Sequence, residues 1–284
     1  MSTAVRRAVR ATRIAAATSA AIAVIAACSS GGTNGGASPA ASPSTRRISP
    51  IPSATASGAA AGPRARAYVL PASAAPVGFT PTAAEPETPA EKQSDQDVNR
   101  CLGLPALDPH LDEADGPDLD NQAAGTSVST SADTYTATQV STDVRFYGNP
   151  ANLATISRCF QQVGGKLFAT PDASGTTATI QSVRPLDISY LSHHVLGLRL
   201  ILQVTATSGV ASPSGAPSDV KPALFTTTQA ATAATRTVPV YIDDFALASG
   251  RLEQQMQVSQ VLAPPNAVLE RGLASALNAL LDHQ

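Results

Sequence analysis

An export signal that ends at a cysteine constrains this chain more than any other feature, because it decides the compartment in which the rest must fold. Arg6, Arg7, Arg10 and Arg13 precede an uncharged run from Ile14 to Ala27 that is rich in Ala, Ile and Val. A bilayer-spanning helix needs about 20 apolar residues. This run is shorter, is basic only on its N-terminal side, and ends at Cys28 followed by Ser29, Ser30, Gly31 and Gly32. It reads as a targeting segment over residues 1–27 rather than as structure. Outside the cytoplasm thiols oxidise, so each of the three cysteines, Cys28, Cys101 and Cys159, needs a fate.

The residues Ile25, Ala26, Ala27 and Cys28 resemble the lipobox of bacterial lipoproteins, in which an aliphatic residue and two small ones fit the signal peptidase and the cysteine receives the lipid. The resemblance implies a lipid on Cys28, the membrane as a partner through that anchor, and residence at the outer face of the cytoplasmic membrane, in the cell envelope. Diverting Cys28 to lipidation leaves Cys101 and Cys159 as the pair for a disulfide. Arg6 and Arg7 also suggest twin-arginine export, but Ala8, Val9 and Arg10 after them match that motif poorly, and the route stays open.

Residues 28–67 are Ala, Ser, Gly, Pro and Thr with a few arginines and almost no large apolar residue. Such a segment cannot build a core and is expected to act as a tether. With 14% charged and 4% aromatic residues, the chain looks like the product of a high-GC genome such as an actinobacterium's. Removing residues 1–27 removes four of 19 basic residues and no acid, leaving 15 against 21 and a net charge of −6. Nucleic acid is therefore not an expected partner. Residues 68–284 suffice for one extracytoplasmic domain with a core.

Inside that domain, Asn149 and Pro150 signal the start of a helix that carries Leu153, Ile156, Phe160 and Val163 inward, with Cys159 beside the stripe and Gly164 and Gly165 as its stop. A C-terminal helix capped by Asn266 presents Leu269, Leu273, Leu277, Leu280 and Leu281. A third, short helix is expected over residues 91–102. Alternation at Leu196, Leu198, Leu200, Leu202 and Val204 marks a half-buried strand. Val238, Val240 and Ile242, then Leu252, Met256 and Val258 beyond the Ser249–Gly250 turn, mark a hairpin. Further strands are expected over residues 134–147, with Val140, Val144 and Phe146 on one face, and 177–188. The fold class is α+β: an antiparallel sheet of about five strands, two or three helices on one face, one disulfide, and a flexible insertion at about 207–236.

The order of these parts is similar to the extracellular sensor-type domain of actinobacterial Ser/Thr kinases of the PknH type and of related stand-alone lipoproteins. The likeness rests on Cys101, Leu102, Gly103, Leu104 and Pro105, the strand ending near Phe146, the helix with Cys159, the hairpin with Gly250 and Arg251, and the closing helix. This chain has one cysteine pair where the kinase domain has two. The resemblance implies an α+β fold enclosing a cleft and a generic role in sensing an external ligand. It assigns no site residues.

No catalytic signature is present: no Gly-x-Ser-x-Gly elbow, no His-Glu-x-x-His, no phosphate-cradling glycine loop. The chain is not expected to be an enzyme, and no cofactor is expected. His193 and His194 are adjacent imidazoles on extended chain, which point to opposite faces. The acidic stretch with Asp108, Asp112, Glu113, Asp115, Asp118 and Asp120 misses EF-hand spacing, so Asp112, Asp115, Asp118 and Asp120 are weak calcium candidates beside a simple solvated loop. Arg184 is a candidate cation for an acidic ligand. Two functional readings follow: a binding or sensor-like lipoprotein for an unidentified envelope ligand or protein, or a lipid carrier, which needs an apolar cavity of several hundred cubic ångströms.

Overall fold

The computed structural model describes residues 64–84, 89–104, 111–169, 176–208 and 234–283. Cys28, the expected 1–27 signal, most of the expected 28–67 tether and residues 209–233 of the expected insertion lie outside them, as does Asp108. Eight strands form one sheet: β1 (Thr80–Thr82), β2 (Asp112–Asp115), β3 (Asp118–Asn121), β4 (Thr126–Thr134), β5 (Thr176–Pro185), β6 (His194–Ser208), β7 (Ala234–Ser249) and β8 (Leu252–Val261). Their order is β1-β3-β4-β8-β7-β6-β5, with β2 also on β4, and every pairing is antiparallel. Four α-helices are described: α1 (Pro89–Leu102), α2 (Ala137–Tyr147), α3 (Leu153–Ala169) and α4 (Ala267–Leu281). No described helix is long and apolar enough to cross a membrane.

The α+β class and the antiparallel sheet are as expected, but the sheet has eight strands rather than about five, and both of its faces are covered. Alternation sends Leu198, Leu200, Leu202 and Val204 of β6, and Val240 and Ile242 of β7, to one face. There they meet Val98 of α1, Tyr147 of α2, and Ile156 and Phe160 of α3. The other face gathers Phe245 and Leu247 of β7, Met256 and Val258 of β8, and Val128 of β4 against Leu273 and Leu277 of α4. The central strand β7 thus feeds a core on each side, which one-sided periodicity elsewhere in the sheet did not announce.

The disulfide Cys101–Cys159 joins the end of α1 to α3 with Cα atoms 5.7 Å apart. Closing a loop with a sequence separation of 58 stabilises the fold by about 4 kcal/mol in the chain-entropy account. α3 does not stop at Gly164 but continues to Ala169, because its contact with β5 outweighs the roughly 1 kcal/mol that a helical glycine costs. The expected strand over 134–147 is in fact the end of β4 followed by α2. Thr136 caps α2, its hydroxyl accepting from the Gln139 N–H at 3.2 Å. Val140, Asp143 and Tyr147, three and four apart, then face inward, a helical spacing that overrides the period-two match of Val140, Val144 and Phe146. The domain also begins earlier than residue 68. Ala65 is fully buried in a short 3-10 turn (Ala65–Tyr68), and its N–H donates to the Asp112 carboxylate at 2.8 Å.

Two glycines are required by close approach or backbone sign. A side chain on Gly197 would lie 2.8 Å from Ile188 Cγ2 and 3.0 Å from the Leu186 carbonyl, where the β5–β6 loop crosses the strand. Gly250, with φ of 58°, makes the tight β7–β8 turn.

Candidate functional site: a polar floor on β4 and β8

The face that carries α1, α2 and α3 changes character at β8. Glu253, Gln255, Gln257 and Ser259 point to it from β8, and their register partners Asp133, Ser131, Ser129 and Ser127 point to it from β4. Asp244 of β7 lies opposite Gln257 on the same face. Apart from the half-buried Ser129, all of these residues are buried. The helices of this face contact β5, β6 and β7, while α4 and the 65–68 turn sit under β4, β7 and β8 on the opposite face. The result is a polar floor bounded by α2, whose Gln139 side chain donates to the Asp143 carboxylate at 3.0 Å.

Partners are unevenly distributed over this floor. Gln255 Nε2 donates to both Asp244 carboxylate oxygens, at 2.8 and 3.0 Å. Ser131 Oγ, Gln255 Oε1, Gln257 Nε2 and Ser259 Oγ are buried and have no hydrogen-bond partner among the described residues. A buried polar atom left unpaired costs about 1–3 kcal/mol, so four on one surface mark a place kept polar at the expense of stability. Burial pushes the Glu253 carboxyl up to about 7, and the nearby Asp143 and Asp133 carboxylates push it the same way.

The acidic stretch singled out in the sequence forms the outer edge of this surface. Glu113 and Asp115 of β2 pair with Asp133 and Ser131, and Asp120 of β3 pairs with Ser127, which places all three on the floor's face; Asp118, two residues before Asp120, shares it. Asp112 points to the other face, where it receives the Ala65 N–H. Asp120 accepts from the Thr82 hydroxyl at 3.1 Å. Strand alternation therefore splits the four calcium candidates, and among the described residues no three carboxylates, imidazoles or thiolates are grouped to hold a metal ion. On the opposite flank of α2 from Asp143, a depression of about 390 Å³ is walled by Val140, Val144 and Arg145 and closed by the β7–β8 turn.

The remaining candidates sit elsewhere. His193 Nε2 lies 2.9 Å from Asp282, and the His193 N–H donates to Asn278, so this imidazole ties the end of α4 to the β5–β6 loop. His194 Nδ1 donates to the Leu191 carbonyl at 2.6 Å. Arg184 is exposed on the edge strand β5, opposite Arg199 in register and remote from the floor.

A second buried polar group lies on the α4 face, beyond the reach of sequence reasoning. Arg199 of β6 grips the fully buried Asp243 of β7 through two guanidinium hydrogen bonds, and Glu270 of α4 closes the group 4.0 Å from Arg199. Burial pushes Glu270 up to about 9, and its hydrogen bond to Asp243 and that carboxylate's charge hold it there. At neutral pH Glu270 keeps its proton and donates to Asp243, which lets α4 dock against an ion pair without adding an unpaired charge.

The polar floor escaped the sequence reading because its β4 half, Ser127 to Asp133, alternates polar residues with Val128, Thr130 and Ala132 and shows little hydropathy contrast. The signal that was present is the Thr136-x-x-Gln139 spacing, which marks a helix start and so ends the preceding strand. The chain matches no protein-family model and no curated relative.

Proposed function

We propose that the chain is a non-catalytic binding lipoprotein of the sensor-like kind, held by a lipid on Cys28 at the outer face of the cytoplasmic membrane, that captures a polar cell-envelope ligand on the β4–β8 face. One observation carries the binding part: four buried side-chain atoms without partners on a single surface, beside the carboxylates of Asp133, Asp143, Asp244 and Glu253. A ligand that supplies those hydrogen bonds recovers their desolvation cost, and a stability penalty of that kind is typical of surfaces kept for binding. The order of Arg6 to Arg13, the apolar run and Cys28 supports the anchor. The resemblance to PknH-type sensor domains supports the sensing role.

Carriage of acyl chains is the weaker reading, because an acyl chain on this floor leaves the amides and hydroxyls unpaired and dry. Native mass spectrometry of the chain purified from an actinobacterial host, followed by lipid extraction, separates the two: a co-purifying acyl lipid overturns the polar-ligand reading. The anchor is tested by Cys28→Ala, which is expected to release the protein from membranes or leave it unprocessed. Membrane attachment of a mature-sized variant overturns it.

A further inference from the structure

We infer that the β5–β6 edge of the sheet carries a second site, on the face that also bears α4, in which Arg184, Arg199 and Ser182 hold the phosphate group of a ligand. It lies across the sheet from the β4–β8 floor and stands apart from the binding role proposed above.

Register brings the three side chains together. Across the antiparallel pair Arg184 stands opposite Arg199, and Ser182 opposite Ile201. Directly opposite residues keep their Cβ atoms about 4.5–5.5 Å apart, and Ser182, two residues before Arg184, shares its face. The extra residue Gln181 sets that phase, because Ile180 and Ser182 pair with the consecutive residues Leu202 and Ile201. Like charges placed directly opposite destabilise a pair of strands. Arg199 is matched: its Nε donates to the Asp243 carboxylate at 2.6 Å, and its Nη2 donates to the second oxygen. Arg184 is exposed and has no hydrogen bond or ion pair with any described residue. Glu270, 4.0 Å from Arg199, keeps its proton at neutral pH and offers no compensation. One positive charge is therefore in excess.

The free hydrogen-bonding groups point to the same chemistry. Asp243 occupies the Nε–Nη2 edge of Arg199, which leaves Nη1 for another acceptor on a side chain that is 25% exposed. Ser182 Oγ is buried and has no partner among the described residues. Guanidinium groups only donate, so the acceptor has to come with the ligand. A carboxylate is satisfied in one plane by the fork of Arg184 alone. A phosphate group spreads its oxygens in three dimensions and can meet Arg184, Arg199 Nη1 and the Ser182 hydroxyl together. With a single charge in excess, a singly charged diester fits better than a doubly charged free phosphate.

The test titrates the full chain, purified from membranes in nonionic detergent and held at constant low chloride, with dimethyl phosphate, inorganic phosphate and acetate by calorimetry. The better of the two phosphates is expected to saturate and to bind at least about tenfold more tightly than acetate, a difference of about 1.4 kcal/mol. Arg184→Gln is expected to weaken it by at least the same factor while leaving the thermal midpoint unchanged or raising it, because the substitution relieves the repulsion with Arg199. Ser182→Ala, which keeps the Cβ, is expected to weaken it by a smaller factor and decides the matter if the first variant misfolds. Tighter binding of dimethyl phosphate assigns the ligand to a diester of a lipid or polymer, and tighter binding of inorganic phosphate assigns it to free phosphate. Acetate binding as tightly as phosphate, no saturable phosphate binding, or a phosphate affinity untouched by Arg184→Gln overturns the inference.

Discussion

Strands β6 and β7 present Leu198, Leu200, Leu202 and Ile242 to the same sheet face on which β8 and β4 present Gln255, Gln257, Ser131 and Ser259. Both surfaces are buried, yet the first is closed by α1 and α3 and stapled by Cys101–Cys159, whereas the second keeps polar atoms that no described residue pairs. Closing the first stabilises the fold, since each large side chain removed from water contributes about 1.5–3 kcal/mol. Keeping the second polar costs stability. The difference teaches that one sheet face is divided between an apolar half that closes the core and a polar half that is proposed to bind, with the border along β7.

The largest effect should come from breaking the closed half. Replacing both Cys101 and Cys159 with Ala is expected to lower the unfolding free energy by about 4 kcal/mol in urea titration; a loss under about 1 kcal/mol would show that α1 and α3 stay docked without the bridge. Leu200→Ala, in the same half, is expected to cost about 3 kcal/mol. A cost near zero would mean that the apolar half is not the stabilising one.

Acidity sharpens the comparison further. The carboxyls of Glu253 and Glu270 both titrate above the ordinary value of 4.5, at about 7 and about 9. Their protonated forms favour the folded state, so this contribution is full below about pH 4.5 and is lost as pH rises through 7 for Glu253 and through 9 for Glu270. The thermal midpoint should therefore fall from pH 5 to 9, less steeply above 7. Glu253→Gln should roughly halve the fall below pH 7, where both groups act, and leave the part above 7, due to Glu270 alone, unchanged. A midpoint flat across that range would contradict the assignment of both groups.

Substitution in the polar half should act in the opposite sense to Leu200→Ala. Gln257→Met, which removes a buried unpaired amide, is expected to raise stability by about 1 kcal/mol while weakening retention of the ligand. Loss of stability would show that the amide is structural. The smallest effect is a control away from both halves: Gly272→Ala in α4, where the added Cβ meets nothing within 4 Å, should stabilise by about 0.5–1 kcal/mol and leave binding unchanged.

Elements with strong, local signals were legible. The Asn266 cap and leucine spacing located α4, and its side chain accepts from Val268 and Leu269 as an N-cap should. The β6 alternation and the β7–β8 hairpin were read correctly, as was the Cys101–Cys159 pair. The region from 126 to 147 was misread because Ser, Thr and Ala in β4 give no hydropathy contrast, while Val140, Val144 and Phe146 in α2 satisfy two periods at once. The candidate site was not legible. Gln255 and Gln257 look like any solvent-facing side of a hairpin until a second polar strand pairs beside them.

By itself the sequence determined the α+β class, the pairing of the two cysteines left once Cys28 is set aside, and the apolar stripes of β6, α3 and α4, because these depend on spacing along the chain. Only the tertiary structure decided that β4 lies against β8, bringing Asp133 beside Glu253 and Ser131 beside Gln255, and that Arg199, Asp243 and Glu270 meet on the opposite face. Those groupings join residues more than a hundred positions apart in the first case and 71 in the second, counting from Arg199 to Glu270. No local periodicity carries them. They follow from the order in which strands are laid into the sheet, and that order is set by how both faces of β7 are buried at once.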